Sequence, residues 1–252
     1  MRFDATLGFD DDGNLIFADG NTMVLDASVT PDPEIAARVA ELAAPIQEAM
    51  AEVVAESTEV IDGSRDNCRA RECQMGVLVA TAMLDRTRDQ GMDVAIQNGG
   101  GIRASIDAGP VTMGEVLTVL PFQNTLSTFE ISGAGVIAAL ENGVSQVEEV
   151  KGRFPQVAGI KFTWDPAAPP MEGRITEVLV AQGEAFVPID PAKTYKVVTN
   201  NYVRNGGDGY DMFKGDDKNA YDYGPDLADV TAEFLAAQGP YTPYTDGRIA
   251  RK

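Results

Sequence analysis

From Glu59 onward the apolar residues of this chain keep switching between helical spacing and strand alternation, and that switching limits the fold to one broad class. Met75 to Arg86 carries an apolar helical pattern with a basic end, and Asp93 to Gln97 reads as a short strand. Thr112-Met113-Gly114-Glu115 spells a capping box that opens a short helix. Thr125 to Ile131 reads as a strand and Ser132 to Gln146 as mostly helix. Further strands are expected at Ile160–Trp164, Arg174–Val180 and Thr194–Thr199, with a last helix at about Pro225 to Ala237. Helices and strands interleaved in this way predict an α+β domain, or an α/β one, built on a mixed β-sheet flanked by helices.

The first residues read differently. Residues 1–30 suggest two short strands around Asp10-Asp11-Asp12-Gly13-Asn14, where Asp and Gly suit a tight turn. The same residues match a calcium loop only faintly, because no Glu completes its pattern. Such a hairpin is too small to be a domain and needs something to pack on. Residues 32–57 predict one long helix, with Asp32 as cap and Pro33 at its first position. Ile35, Val39, Leu42, Ile46, Met50 and Val53 follow helical spacing, and Pro45 should kink or split it. This helix is either a connector or an ordinary core helix. The sequence shows no repeat and no low-complexity tract.

Composition removes several functions. The formal net charge is −19, which disfavours a general nucleic-acid binder, because phosphate backbones repel such a surface, and leaves room for a basic pocket holding a small anion. There is no histidine, which removes the commonest general base and the commonest transition-metal ligand. No apolar stretch reaches the length of about 18 residues that a membrane span requires. The first residues lack the charged and apolar regions of a secretory signal, so the chain is either cytoplasmic or begins partway through a longer polypeptide. Cys68 and Cys73, in Cys-Arg-Ala-Arg-Glu-Cys, cannot complete a zinc site without histidine. They fit a local disulfide closing a short polar loop, and so an oxidising compartment, or two unrelated buried thiols.

Four segments have residue types suited to chemistry. Asn98-Gly99-Gly100-Gly101-Ile102-Arg103 follows a strand; its glycines let a ligand approach the backbone, and Arg103 can fork onto a phosphate or carboxylate. The spacing is neither a dinucleotide fingerprint nor a P-loop, and a flexible turn is the plain alternative. Arg65, Arg69 and Arg71 surround the cysteines and form either an anion site or a solvated charged face. Phe122, in Pro121-Phe122-Gln123-Asn124, either packs on the core or stacks on a base. Asn201 to Tyr210 combines Tyr202, paired glycines and Asp208, a carboxylate that either accepts from two sugar hydroxyls or merely turns the chain. Taken together, the arginines, carboxylate and rings are the inventory of a mononucleotide site.

These blocks, with Leu120-Pro121-Phe122 and Gly152-Arg153-Phe154-Pro155-Gln156, resemble the C-terminal domain of the 5′-nucleotidase and UDP-sugar hydrolase family over roughly residues 60–240. That family includes ecto-5′-nucleotidase and bacterial periplasmic enzymes. The resemblance implies a 5′-nucleotidase C-terminal domain-like fold over residues 58–252. It makes 31–57 a connecting helix and 1–30 the remnant strands of a preceding metallophosphoesterase domain. It places two divalent metal ions in that N-terminal domain of the same polypeptide, and no catalytic residue, metal ligand or cofactor in this chain. Arg65, Arg69 and Arg103 are expected at the phosphate or ribose, with Asn98 and Gly100 beside the nucleoside. Phe122 and Tyr202 are expected to flank the base, and Asp208 to hold the ribose hydroxyls. The family usually has Phe where this chain has Tyr202, and part of it has a bridge matching Cys68–Cys73. The implied function is nucleotide or nucleoside binding for a periplasmic or extracellular phosphoesterase, the chain being inactive alone and bearing no membrane span. Rival functions are a free-standing nucleotide-binding protein, the equivalent domain of a thiosulfate-ester hydrolase, and a degenerate domain without a ligand.

Overall fold

A computed structural model describes residues 2–215 and 218–252, and divides the chain into two compact units, one ending at Glu48 and a larger one, Ala49–Lys252. The smaller unit holds strands β1 (Arg2–Phe9) and β2 (Leu15–Met23), paired antiparallel, and most of helix α1 (Pro33–Met50). Asp10 makes the β1–β2 turn, its carbonyl accepting from Gly13 N at 3.0 Å and its carboxylate from Asn14 N at 2.7 Å. Helix α1 begins where expected, with the Asp32 carboxylate accepting from the amides of Glu34 and Ile35. It runs through Pro45 as one helix and ends at Met50 rather than residue 57. Val53 and Val54, read as the helix's end, instead start strand β3 (Val53–Ser57). Branched side chains at both positions favour a pleated strand once partners are present.

Among the described residues the larger unit contains three sheets. After β3 come the one-turn helix α2 (Arg65–Cys68), helix α3 (Gln74–Arg86) and strand β4 (Val94–Asn98). Strand β5 (Gly109–Thr112) leads into helix α4 (Met113–Val119), then β6 (Leu126–Ser132) and α5 (Gly133–Val144). The capping box is formed: Thr112 Oγ1 accepts from Glu115 N at 3.2 Å, and Thr112 N donates to Glu115 Oε2 at 2.8 Å. Strands β7 (Pro155–Ala158), β8 (Ile160–Trp164), β9 (Ile175–Gln182), β10 (Ala185–Pro188) and β11 (Thr194–Asn200) follow. Helix α6 (Asn201–Arg204) is one turn long; α7 (Leu227–Ala237), β12 (Pro240–Tyr241) and β13 (Ile249–Arg251) complete the unit.

The central sheet has the order β6-β11-β4-β7, with β4 and β11 parallel and the outer pairs antiparallel. Every residue of β4 is buried, because both faces of this sheet are covered. Val94 and Ile96 face a core containing Phe129, Phe154, Trp164 and Phe213, while Ala95 faces a second core containing Met75, Leu78 and Leu235. Successive strand residues point to opposite faces, so one strand serves both cores. The remaining sheets, β10-β9-β8-β13 and β12-β3-β5, tie in the last two strands by pairing β13 parallel to β8 and β12 parallel to β3. The fold is thus mixed α and β, with mixed sheets flanked by helices, as expected.

Candidate functional site

Because β4 and β11 are parallel neighbours, Val94 opposite Val197 and Ala95 opposite Val198, their carboxyl ends emerge side by side. Ligands in open α/β sheets commonly bind beyond such ends. Here a cleft of about 510 Å³ opens there, lined by Arg69, Asn98, Gly100, Gly101, Arg103, Phe122, Asn124, Gly152, Tyr202 and Asp208.

Asn98 is the last residue of β4, and Tyr202 lies in α6, immediately after β11. A buried amide ladder joins the two strand ends. Asn200 Nδ2 donates to Gln97 Oε1 at 2.9 Å and to Asn98 Oδ1 at 3.0 Å, and Asn200 Oδ1 caps α6 by accepting from Val203 N at 2.9 Å. With its oxygen so engaged, Asn98 turns its Nδ2 to Asp208 Oδ2, at 2.7 Å. Asp208 sits in the left-handed region, φ 55°, in a turn held by Asn142 Nδ2 on its carbonyl at 3.1 Å. Arg153 in turn fixes Asn142, donating to its Oδ1 at 3.0 Å. A side chain at this positive φ carries strain, and such strain persists where the surroundings over-determine it.

The Gly-rich segment brings two backbones together. Gly100 N donates to Gly152 O at 2.8 Å, and a Cβ at Gly100 would lie 2.8 Å from Gly152 Cα. Only glycine permits that approach. Arg103, three residues on, donates to Gly100 O at 3.3 Å and places its guanidinium 5.7 Å from the centre of the Phe122 ring. Phe122 is 55% exposed and Tyr202 47% exposed, so both rings are open to a ligand.

Arg69 enters the cleft from the other side. Cys68 and Cys73 form a disulfide with Cα atoms 5.1 Å apart, and Arg69 is the residue that ends α2 inside this loop. Gln156, on β7, anchors the loop: its Nε2 donates to Cys68 O at 3.0 Å and Arg71 O at 2.7 Å, and its Oε1 accepts from Cys73 N at 3.3 Å. Arg69 is buried, and its Nε has no hydrogen-bond partner among the described residues. Burial, then the charges of Arg65 and Arg103, hold its guanidinium below the ordinary arginine value, with Asp208 opposing them. A buried cation beside like charges is stabilised by an anionic partner.

Of the residues expected at the site, Arg69, Asn98, Gly100, Arg103, Phe122, Tyr202 and Asp208 line this one cleft; Arg65 does not, and is exposed. Gly101, Gly152 and Asn124 also line it without having been assigned a place there. Gly152 belongs to the Gly-Arg-Phe-Pro-Gln block that carries the resemblance, and Asn124 closes the Phe122 segment, so both had a signal. Gln97, Asn142 and Asn200 had none.

Residues 53–215 match the 5′-nucleotidase, C-terminal domain. The trifunctional nucleotide phosphoesterase of Bacillus subtilis (strain 168) is 36% identical over 252 residues, covering 96% of this chain and 17% of that protein. Human 5′-nucleotidase is 32% identical over 255 residues, covering 96% of this chain and 44% of that protein. The crystal structure of the 5′-nucleotidase precursor from Thermus thermophilus superposes with a TM-score of 0.81 and 37% identity, covering 98% of this chain and 49% of that one. The chain thus spans less than half the length of each of these relatives. On its sequence and its fold alike, the chain belongs to the 5′-nucleotidase family, whose C-terminal domain its residues 53–215 match.

Proposed function

We propose that the cleft binds a nucleotide or nucleoside and presents it to the hydrolytic centre of a 5′-nucleotidase-type phosphoesterase. One observation supports this most: two half-exposed aromatic rings, a carboxylate held by hydrogen bonds and two arginines line the same cleft. Phe122 and Tyr202 offer faces on which a base stacks, an interaction of about 1–3 kcal/mol per base in single-strand binders. Asp208 accepts from ribose hydroxyls, and Arg69 and Arg103 take the phosphate.

The catalytic metals of such an enzyme do not fit this cleft. The chain has no histidine, and among the residues lining the cleft Asp208 is the one carboxylate, too few ligands for a metal centre. Among the described residues no three His, Cys, Asp or Glu side chains converge. We therefore assign the hydrolytic step to a metallophosphoesterase domain outside these residues, and binding and orientation to this chain. The exposed apolar residues of the hairpin and α1, among them Phe9, Phe17, Val39 and Ile46, suit a segment that meets such a domain. The Cys68–Cys73 bridge supports a periplasmic or extracellular location.

Calorimetric titration with adenosine and AMP, on the wild type and on Phe122→Ala, tests this function. Saturable binding is expected, weakened roughly tenfold or more by loss of the ring. No saturable binding at millimolar ligand, or binding indifferent to Phe122, refutes it.

A further inference from the structure

The second aromatic of the cleft does something that a phenylalanine there cannot do. Tyr202 OH donates to Asp208 Oδ1 at 3.3 Å and accepts from Asp208 N at 3.2 Å, so one hydroxyl holds both the carboxylate and the backbone of the same residue. The ring itself is seated on the turn that carries Asp208: a Cβ at Gly207 would lie 2.4 Å from a Tyr202 ring carbon. Burial, then the charge of Asp208, raise the phenol above its ordinary value of 10.0, so the hydroxyl stays a donor through neutral pH.

A carboxylate has about four lone-pair sites. Asn98 Nδ2 takes one on Oδ2 and the Tyr202 hydroxyl takes one on Oδ1, which leaves one on each oxygen. Two acceptors, one per oxygen and fixed in direction, match two adjacent hydroxyls on a five-membered sugar ring. We infer that the Tyr202 hydroxyl is a positioning group that sets this cleft's preference for ribose over 2′-deoxyribose, by fixing the carboxylate of Asp208. The inference rests on the nucleoside-binding function proposed above. It adds a residue that couples the stacking face to the sugar contact.

Tyr202→Phe keeps the ring and removes only the hydroxyl. Binding of adenosine and of 2′-deoxyadenosine is measured by calorimetry on the wild type, on Tyr202→Phe and on Phe122→Ala, with unfolding temperatures as a check on folding. Adenosine should weaken about tenfold in Tyr202→Phe, as expected for loss of a hydrogen bond to a charged group, while 2′-deoxyadenosine changes little. The ribose preference should therefore fall by about the same factor. Phe122→Ala should weaken both ligands together and leave the preference unchanged, which separates positioning from stacking. If the wild type binds adenosine and Phe122→Ala weakens it, but Tyr202→Phe keeps the full ribose preference, the positioning role is overturned and nucleoside binding stands. If the wild type binds neither ligand, both fall together.

Discussion

Replacing Gly76 with alanine sets helix propensity against packing. Gly76 lies in the first turn of α3, and in an open helix the change would stabilise by about 1 kcal/mol. Here a Cβ would lie 2.2 Å from Oε1, 2.3 Å from Cδ and 2.4 Å from Cγ of Gln156. Gln156 cannot yield cheaply, because it is fully buried and holds three backbone groups of the disulfide loop, Cys68 O, Arg71 O and Cys73 N. Each buried polar group left unmet costs about 1–3 kcal/mol, and crowding a packed core costs a similar amount. Arg71 is exposed, so water recovers part of that loss. A net destabilisation of about 2–4 kcal/mol remains after the propensity gain. For a unit the size of Ala49–Lys252 each kcal/mol moves Tm by about 2–4 °C, so a fall of roughly 5–15 °C is expected. Scanning calorimetry on Gly76→Ala, Gln156→Ala and the double variant measures it. In the Gln156→Ala background the Gly76→Ala penalty should shrink by about 1 kcal/mol or more, since the clash is gone. A raised Tm in Gly76→Ala, or strictly additive effects in the double variant, would refute the account of Gln156 as the strut of the loop.

Two further outcomes follow from charges. Arg69→Ala should weaken AMP about tenfold or more and adenosine by less than about threefold, because Arg69 lines the cleft as a partly unpaired cation; Arg65→Ala, outside the lining, should change AMP binding by less than about threefold, and calorimetry with both ligands checks this. Arg248 donates to both oxygens of Asp246, at 2.8 and 2.9 Å, and that hydrogen bonding holds the Asp246 carboxyl below its ordinary value of 3.8. A depressed folded value gives stability that is present above the unfolded value and lost as pH falls through the folded one. Asp246→Asn should therefore lower Tm at neutral pH and flatten the further fall of Tm between about pH 4 and pH 2; equal slopes in both proteins would rule the linkage out.

The long elements were legible because each has one face committed to a core. The helices α3, α5 and α7 and strands β8 and β11 lie within a few residues of where apolar spacing puts them. The short strands were not. Strand β12 has two residues and β13 three, too few for any period to show. Strand β7 begins with Pro155, which reads as a break, yet β7 is an edge strand of the central sheet, where a proline can sit. Strand β3 was misread because Val53 continues the helical spacing of α1. Its partners β5 and β12 lie far along the chain, and a local pattern holds no trace of them.

The site divides in a similar way. Rings, arginines and a carboxylate announce themselves by type, and those residues were legible. What orients them was not, because it consists of neutral amides whose meaning is positional. Gln97 and Asn98 end β4, Asn200 ends β11, and about a hundred residues separate them in sequence; they become one ladder only because the two strands are parallel neighbours. Arg65 and Arg69 show the same point at short range. They stand one turn apart, Arg69 N donating to Arg65 O at 3.1 Å where α2 ends. Arg69 nonetheless is buried and lines the cleft, while Arg65 is exposed. The placing of the cleft's side chains therefore depends on strand register and on the Gln156 anchor of the disulfide loop as much as on residue type. Substitutions at Gly76, Gln156 or Asn200, none of which lines the cleft, should alter binding without removing a ligand contact.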